Sequence, residues 1–251
     1  MYLYKLFCNI YSILIFKIEN ILYRQNKIHD KTLENYGIKK LELNKGNLLI
    51  GEEKKSIKIN KYHYRSIYSN KDINLYLENF FDKELKNEIR NLTGFNYSID
   101  YFGAYKNFPI SESDIHKGYF ANHYHFDKPY SKNMLKVFVT MSEVNKKDGP
   151  LEIINKNESK AIKKGKKNIN NVSKYYFTGE KGDVLLFKPN LCFHKAGNPN
   201  KGNYTYLIML QLNPSINWQI SKYLYKRQFK IEPKFTSLIN LLSRDNKFKT
   251  F

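Results

Sequence analysis

MLKVFVTMSEVNKKDGPLEII, residues 134–154, is the stretch on which the fold turns. Met134–Met141 is apolar and rich in β-branched and aromatic residues, a composition that fits a pleated, half-buried strand. KKDGP at 146–150 is a turn signal, and Leu151–Ile154 resumes the apolar run. Strand, turn and strand is therefore the reading. The same texture extends outward on both sides. NYSIDYFGAY (96–105) alternates, and KYYFT (174–178), GDVLLF (182–187) and YTYLIMLQL (204–212) follow. Strands at regular spacing with turn signals between them predict an all-β sandwich or barrel core. The fold class is mainly β with flanking helices.

The flanks differ from the core. DINLYLENFFDKELKNEIRNLT (72–93) carries Leu75, Leu77, Phe80, Phe81, Leu85, Ile89 and Leu92 at helical spacing, with Gly94 as a stop, so the pattern predicts one helix. Residues 26–70 read as a polar, lysine-rich lead-in with short extended stretches such as LELNKGNLLIG (41–51) and little chemistry. INWQISKYLYKRQFK and FTSLINLLSR, after Pro214, read as helical again. The expected organisation is an N-terminal apolar or amphipathic helix over 1–25 and a single domain over 26–251. That domain has its β core at about 95–214 and a helical tail at 215–251.

Tyr2–Phe16 (YLYKLFCNIYSILIF) is nearly all apolar, with Lys5, Asn9 and Ser12 as a narrow polar stripe. It is shorter than the ~20 residues that span a bilayer, and no small-residue cleavage site follows it. A helix docked on the domain and an interfacial helix on a membrane both fit. The chain carries 43 Lys and Arg against 23 Asp and Glu, a formal charge of +20. Such a charge suits a polyanion or membrane partner, but the lysines are spread along the chain rather than gathered in a stripe, and no nucleic-acid motif accompanies them. Two cysteines, Cys8 and Cys192, are too few for a disulfide scaffold and fit a reducing compartment. The expected location is cytoplasmic, with peripheral membrane contact through residues 1–24 as the variant.

The chemistry concentrates in HYHFDK (123–128). His123, His125 and Asp127 fall at i, i+2 and i+4, and alternate residues of an extended segment face one side. His194, in FHKAGN just after GDVLLFKPN, is a further candidate histidine. Two histidines and one carboxylate suit Fe(II), because they fill one face of an octahedron and leave the other open.

These stretches together resemble the phytanoyl-CoA dioxygenase-like branch of the Fe(II)/2-oxoglutarate oxygenases. The matching segments are the YLENFFDKELKNEI helix, the His-Phe-Asp triplet, LKVFVTMSEVNKKDGPLEII and GDVLLFKPNLCFHKAGN, which together run from the 72–93 helix to Pro214. The resemblance implies a double-stranded β-helix core, the jelly roll of the cupin type. It implies that His125, Asp127 and His194 ligate Fe(II), with 2-oxoglutarate and O2 as co-substrates and hydroxylation of a small-molecule or lipid-like substrate as the outcome. His123 shares the face and rivals His125; the His-x-Asp register favours His125 and leaves His123 to the pocket wall.

One departure stands out. The family places an arginine on the strand after the distal histidine to grip the far carboxylate of 2-oxoglutarate. Here that stretch reads AGNPNKGNYTYLIM, without arginine. Lys136 and Lys201 can supply charge instead, and Tyr204 and Thr205 can add hydroxyls. A jelly-roll metal protein that has lost 2-oxoglutarate-dependent catalysis is the rival expectation. Tyr101 and Tyr105 share a strand face that can reach the pocket. Cys192 reads as a packed small residue, and Lys163–Lys167 as a loop able to clasp an anion.

Overall fold

The protein is described from a computed structural model, which covers residues 13–41, 48, 50–127, 131–221 and 224 and the backbone of 249–250. Its helices are α1 (13–22), α2 (Thr32–Tyr36), α3 (Asn70–Phe80), α4 (Lys83–Thr93) and α5 (Lys156–Lys163). The strands begin with β1 (Ile38–Leu41), β2 (Lys55–Asn60), β3 (His63–Ile67), β4 (Asn96–Asn107), β5 (Leu135–Thr140) and β6 (Glu152–Ile153). They continue with β7 (Tyr175–Tyr176), β8 (Val184–Phe187), β9 (His194–Lys195), β10 (Thr205–Ser215), β11 (Gln219–Ile220) and β12 (Lys249–Thr250).

The larger sheet runs β1-β8-β5-β10-β4-β11-β12, with β3 further along the same edge of β4 that β11 occupies and β2 beyond it. Its pairings are antiparallel except that β11 lies parallel to β4. A smaller sheet, β7-β6-β9, faces it. Period-two alternation divides the larger sheet into two working faces. Leu135, Val137 and Val139 of β5 join Ile208, Leu210 and Leu212 of β10 in the main core, beneath α3 and α4. The intervening Lys136, Phe138, Leu207 and Met209 point the other way and line a cavity. Beside it, Leu151, Ile153 and Phe177 pack with Leu185 and Phe187 in a second apolar cluster. The expected jelly-roll core is present.

Three expectations need correction. The 72–93 helix is two helices. Asp82 adopts an extended conformation and its side chain accepts a hydrogen bond from Leu85 N–H at 2.9 Å, so it caps a new helix and ends the old one. Buried Ile73, Tyr76, Leu77 and Phe80 continue one apolar face across the break into Leu85, Ile89 and Leu92, whereas Leu75 is exposed. The lead-in of 26–70 is also structured, since it supplies α2 and β1–β3. Third, the tail is not helical where it is described: Gln219–Ile220 and Lys249–Thr250 are strands, and 222–223 and 225–248 lie outside the described residues.

Residues 13–22 are helical, and residues 1–12 lie outside the described residues. Ile15, Glu19 and Tyr23 turn inward at four-residue spacing. The Glu19 carboxylate accepts hydrogen bonds from Ser131 and Asn133. Ile13, Leu14, Ile21 and Leu22 stay exposed. No described helix is long and apolar enough to cross a membrane.

The break at Asp82 yields a prediction. Asp82→Ala is expected to lower unfolding stability by about 0.5–2 kcal/mol, read as a lower urea midpoint at unchanged slope. An unchanged midpoint would remove the cap as the reason for the break.

Candidate metal centre

The centre is assembled by backbone pairing. His125 and His194 exchange two backbone hydrogen bonds, each 3.1 Å, in an antiparallel bridge. His194 opens β9, which pairs with β6, so the bridge carries the 125–127 segment onto the edge of the smaller sheet. Asp127 N–H donates to the Pro189 carbonyl at 3.2 Å. Alternation then points His125 and Asp127 to one side and Phe126 to the other, where Phe126 meets Phe193 with ring centroids 3.9 Å apart.

The three side chains converge. Asp127 Oδ1 lies 3.4 Å from His194 Nε2 and 3.7 Å from His125 Nε2. Among the described residues, this is the one cluster of histidine, cysteine and acidic side chains arranged to hold a metal ion. Each imidazole is oriented by a carbonyl two residues back. His125 Nδ1 lies 2.8 Å from the His123 carbonyl, and His194 Nδ1 lies 3.0 Å from the Cys192 carbonyl. A carbonyl only accepts, so both Nδ1 atoms carry a proton, and a ring protonated only there presents its Nε2 lone pair. Two nitrogen lone pairs aimed at a carboxylate oxygen repel one another unless a cation sits between them. Donors at right angles, each ~2.1 Å from a metal ion, lie about 3 Å apart, close to the spacing here. The donor set therefore fits a divalent cation.

Electrostatics set the protonation states. Burial disfavours the Asp127 carboxylate, but the ammonium of Lys136 outweighs it and holds the group below the usual carboxylate range. Burial pushes the His194 imidazole below its usual value against the pull of Asp127. A carboxylate beside a neutral imidazole is the form that ligates metal. Lys136 Nζ reaches Asp127 Oδ2 at 2.7 Å, leaving Oδ1 between the two imidazoles.

A cavity of about 330 Å³ opens beside this cluster. His125, His194, Lys136 and Thr205 reach it, with Phe138, Leu151, Leu207 and Met209 as apolar wall. Lys136 is the one lysine or arginine among its described lining residues.

Other expected site residues fall differently. Tyr105 lines the cavity, but Tyr101, two positions further along that face of β4, does not; the Arg65 guanidinium lies 5.7 Å from both rings. His123 is exposed and outside the cavity, and contributes its carbonyl rather than its ring. Lys201 sits exposed in a turn, and Tyr204 is exposed and stacked on Phe108, so neither reaches the cavity. Thr205 does, but its hydroxyl already donates to the carbonyls of Asp148 and Gly149. Cys192 is packed and buried, which pushes its thiol up to about 12, and it takes no part in the cluster.

Residues not expected from sequence complete the wall. His63 hydrogen-bonds Asn107 at 2.6 Å and stacks on Tyr105 with centroids 4.8 Å apart. Phe120 and Ala121 line the cavity with positive φ, 31° and 60°, an uncommon conformation for residues with a side chain. The only local hint was the alternation of His63 with Arg65 in KYHYRSI, which does not connect that strand to the centre.

No family model matches the chain, and no curated protein matches it. Solved structures share its fold. HygX from Streptomyces hygroscopicus, with nickel and 2-oxoglutarate bound, superposes with a TM-score of 0.50 at 11% identity, covering 77% of this chain and 89% of that one. The non-haem α-ketoglutarate-dependent epimerase SnoN from nogalamycin biosynthesis gives 0.51 at 12% identity, covering 72% and 79%. The likeness shows the fold alone, the jelly roll.

The donor geometry is tested by dialysis against Fe(II) or Ni(II). About one equivalent is expected on the native chain and none on Asp127→Ala or His194→Ala. Stoichiometric metal in both variants sinks the assignment.

Proposed function

We propose that this chain is a non-haem Fe(II), 2-oxoglutarate-dependent oxygenase acting on a small molecule. One observation carries the reading. Two imidazoles and one carboxylate converge beside a mostly apolar cavity with a single cationic side chain, Lys136, among its described lining residues. SnoN, which also crystallises with Fe3+, α-ketoglutarate and nogalamycin RO, supports it as a relative in fold, with a TM-score of 0.51 at 10% identity over 72% of this chain and 80% of that one. The sequence motifs favour the phytanoyl-CoA dioxygenase-like branch, with hydroxylation as the reaction.

Bound iron supplies a redox centre at which O2 is reduced while 2-oxoglutarate is oxidised and decarboxylated. The chain does the rest. His125, Asp127 and His194 hold the ion on one face, and the carbonyls of His123 and Cys192 fix both rings so that no reorientation is needed on binding. Lys136 steadies Asp127 through Oδ2 and offers its ammonium to a co-substrate carboxylate in the same space. It stands in for the missing arginine as a point charge rather than a fork. Phe138, Leu207 and Met209 keep the space dry, which strengthens each of these charges.

A second reading is a jelly-roll metal protein without 2-oxoglutarate chemistry. The absence of arginine from the described cavity lining favours it. Titrating 2-oxoglutarate into Ni(II)-loaded protein separates the two. Under the first reading it binds, and Lys136→Met weakens binding about 10- to 100-fold, the loss of one charge-assisted hydrogen bond. Lys136→Arg should retain part of the affinity. No binding to the native protein selects the second reading.

A further inference from the structure

A second cavity, about 440 Å³, lies behind the metal-ligand segment and shares no lining residue with the first. Phe126 forms part of its wall, while the neighbouring His125 faces the other cavity. Among its described lining residues are Arg24, Lys132, Lys156, Lys160, Lys163 and Lys188, against one acidic residue, Glu34. Four separate chain segments supply these six cations. Lys156, Lys160 and Lys163 come from one face of α5, at i, i+4 and i+7. Lys163 therefore belongs to a helix, not to the loop that the charge run suggested.

None of the six has an ion-pair partner among the described residues. Lysines elsewhere do, such as Lys39, Lys40, Lys106 and Lys195. The Lys156 ammonium donates to the Glu34 carbonyl at 2.6 Å, and Lys163 sits 5.6 Å from the Phe126 ring centroid. Burial, reinforced by the charge of Lys156, pulls the Lys188 ammonium down to about 8. Like charges gathered around a concave, partly dry surface repel each other and lose hydration, and a multiply charged anion reverses both costs. Phe16, Ile28, Phe95 and Leu191 add an apolar wall that inorganic ions do not use.

We infer that this cavity is an anion-binding site, separate from the metal centre, that takes the diphosphate group of a small organic molecule. The site does not depend on the oxygenase reading. Its occupant would press on Phe126, which packs against Phe193; these residues immediately precede Asp127 and His194.

Calorimetric titration of the full chain with inorganic pyrophosphate and with ADP, at 0.15 M salt to screen scattered surface charge, tests it. Saturable binding of both probes is expected, tighter for ADP. Lys156→Gln/Lys188→Gln should weaken it at least about tenfold. Lys160→Gln/Lys163→Gln changes only exposed side chains and should also weaken it without altering metal binding, which guards against loss by misfolding. Lys54→Gln/Lys55→Gln, on exposed residues elsewhere, should leave it unchanged. Absent saturable binding, or equal affinity in all three variants, overturns the proposal. Pyrophosphate binding as tightly as ADP overturns the organic part of it.

Discussion

Two backbone hydrogen bonds between His125 and His194 are the constraint on which the centre depends. They join segments far apart in the chain and set their register. A slip of one residue on either side would replace an imidazole with Phe126 or Phe193, because successive side chains of an extended segment face opposite ways. The bonds involve only backbone atoms, so the side chains are left free for ligation. The two phenylalanines on the far side then hold the register by packing.

The larger sheet supports this arrangement by using both faces. One packs on α3 and α4 through Leu135, Val137, Ile208 and Leu210, and the other presents Lys136, Phe138, Leu207 and Met209 to the cavity. Charge is divided between the two cavities in the same way. Among its described lining residues, the cavity beside the metal-ligand cluster holds one ammonium, offset by Asp127 at 2.7 Å, since an unpaired charge there would cost several kcal/mol. The cavity behind it holds six cations against one carboxylate among its described lining residues. The +20 of the sequence is thus not evenly diluted on the surface, although the lysines look evenly spread along the chain.

Legibility in the sequence followed signal length. β4, β5, β8 and β10 were readable because long apolar or alternating runs carry a clear period. β2 was not, since its alternation is only the pair Ile57 and Ile59, too short to stand out, and four of its six residues are exposed. The break between α3 and α4 was hidden because the apolar spacing continues through it. Only the Asp82 cap, a local competition between side chain and backbone, interrupts the helix. β11 was missed because INWQISKY has helical spacing, and its pairing to β4 is a long-range event.

The sequence by itself determined the strand-rich core, the shared face of His125 and Asp127, and the candidacy of His194, because each rests on local periodicity or on a short motif. Only the tertiary structure decided that His125 rather than His123 faces His194, that Lys136 rather than Lys201 enters the cavity, that His63 joins its wall, and that lysines from α5 meet Arg24, Lys132 and Lys188. Those outcomes depend on strand register and on which distant segments pair, and no local pattern encodes either.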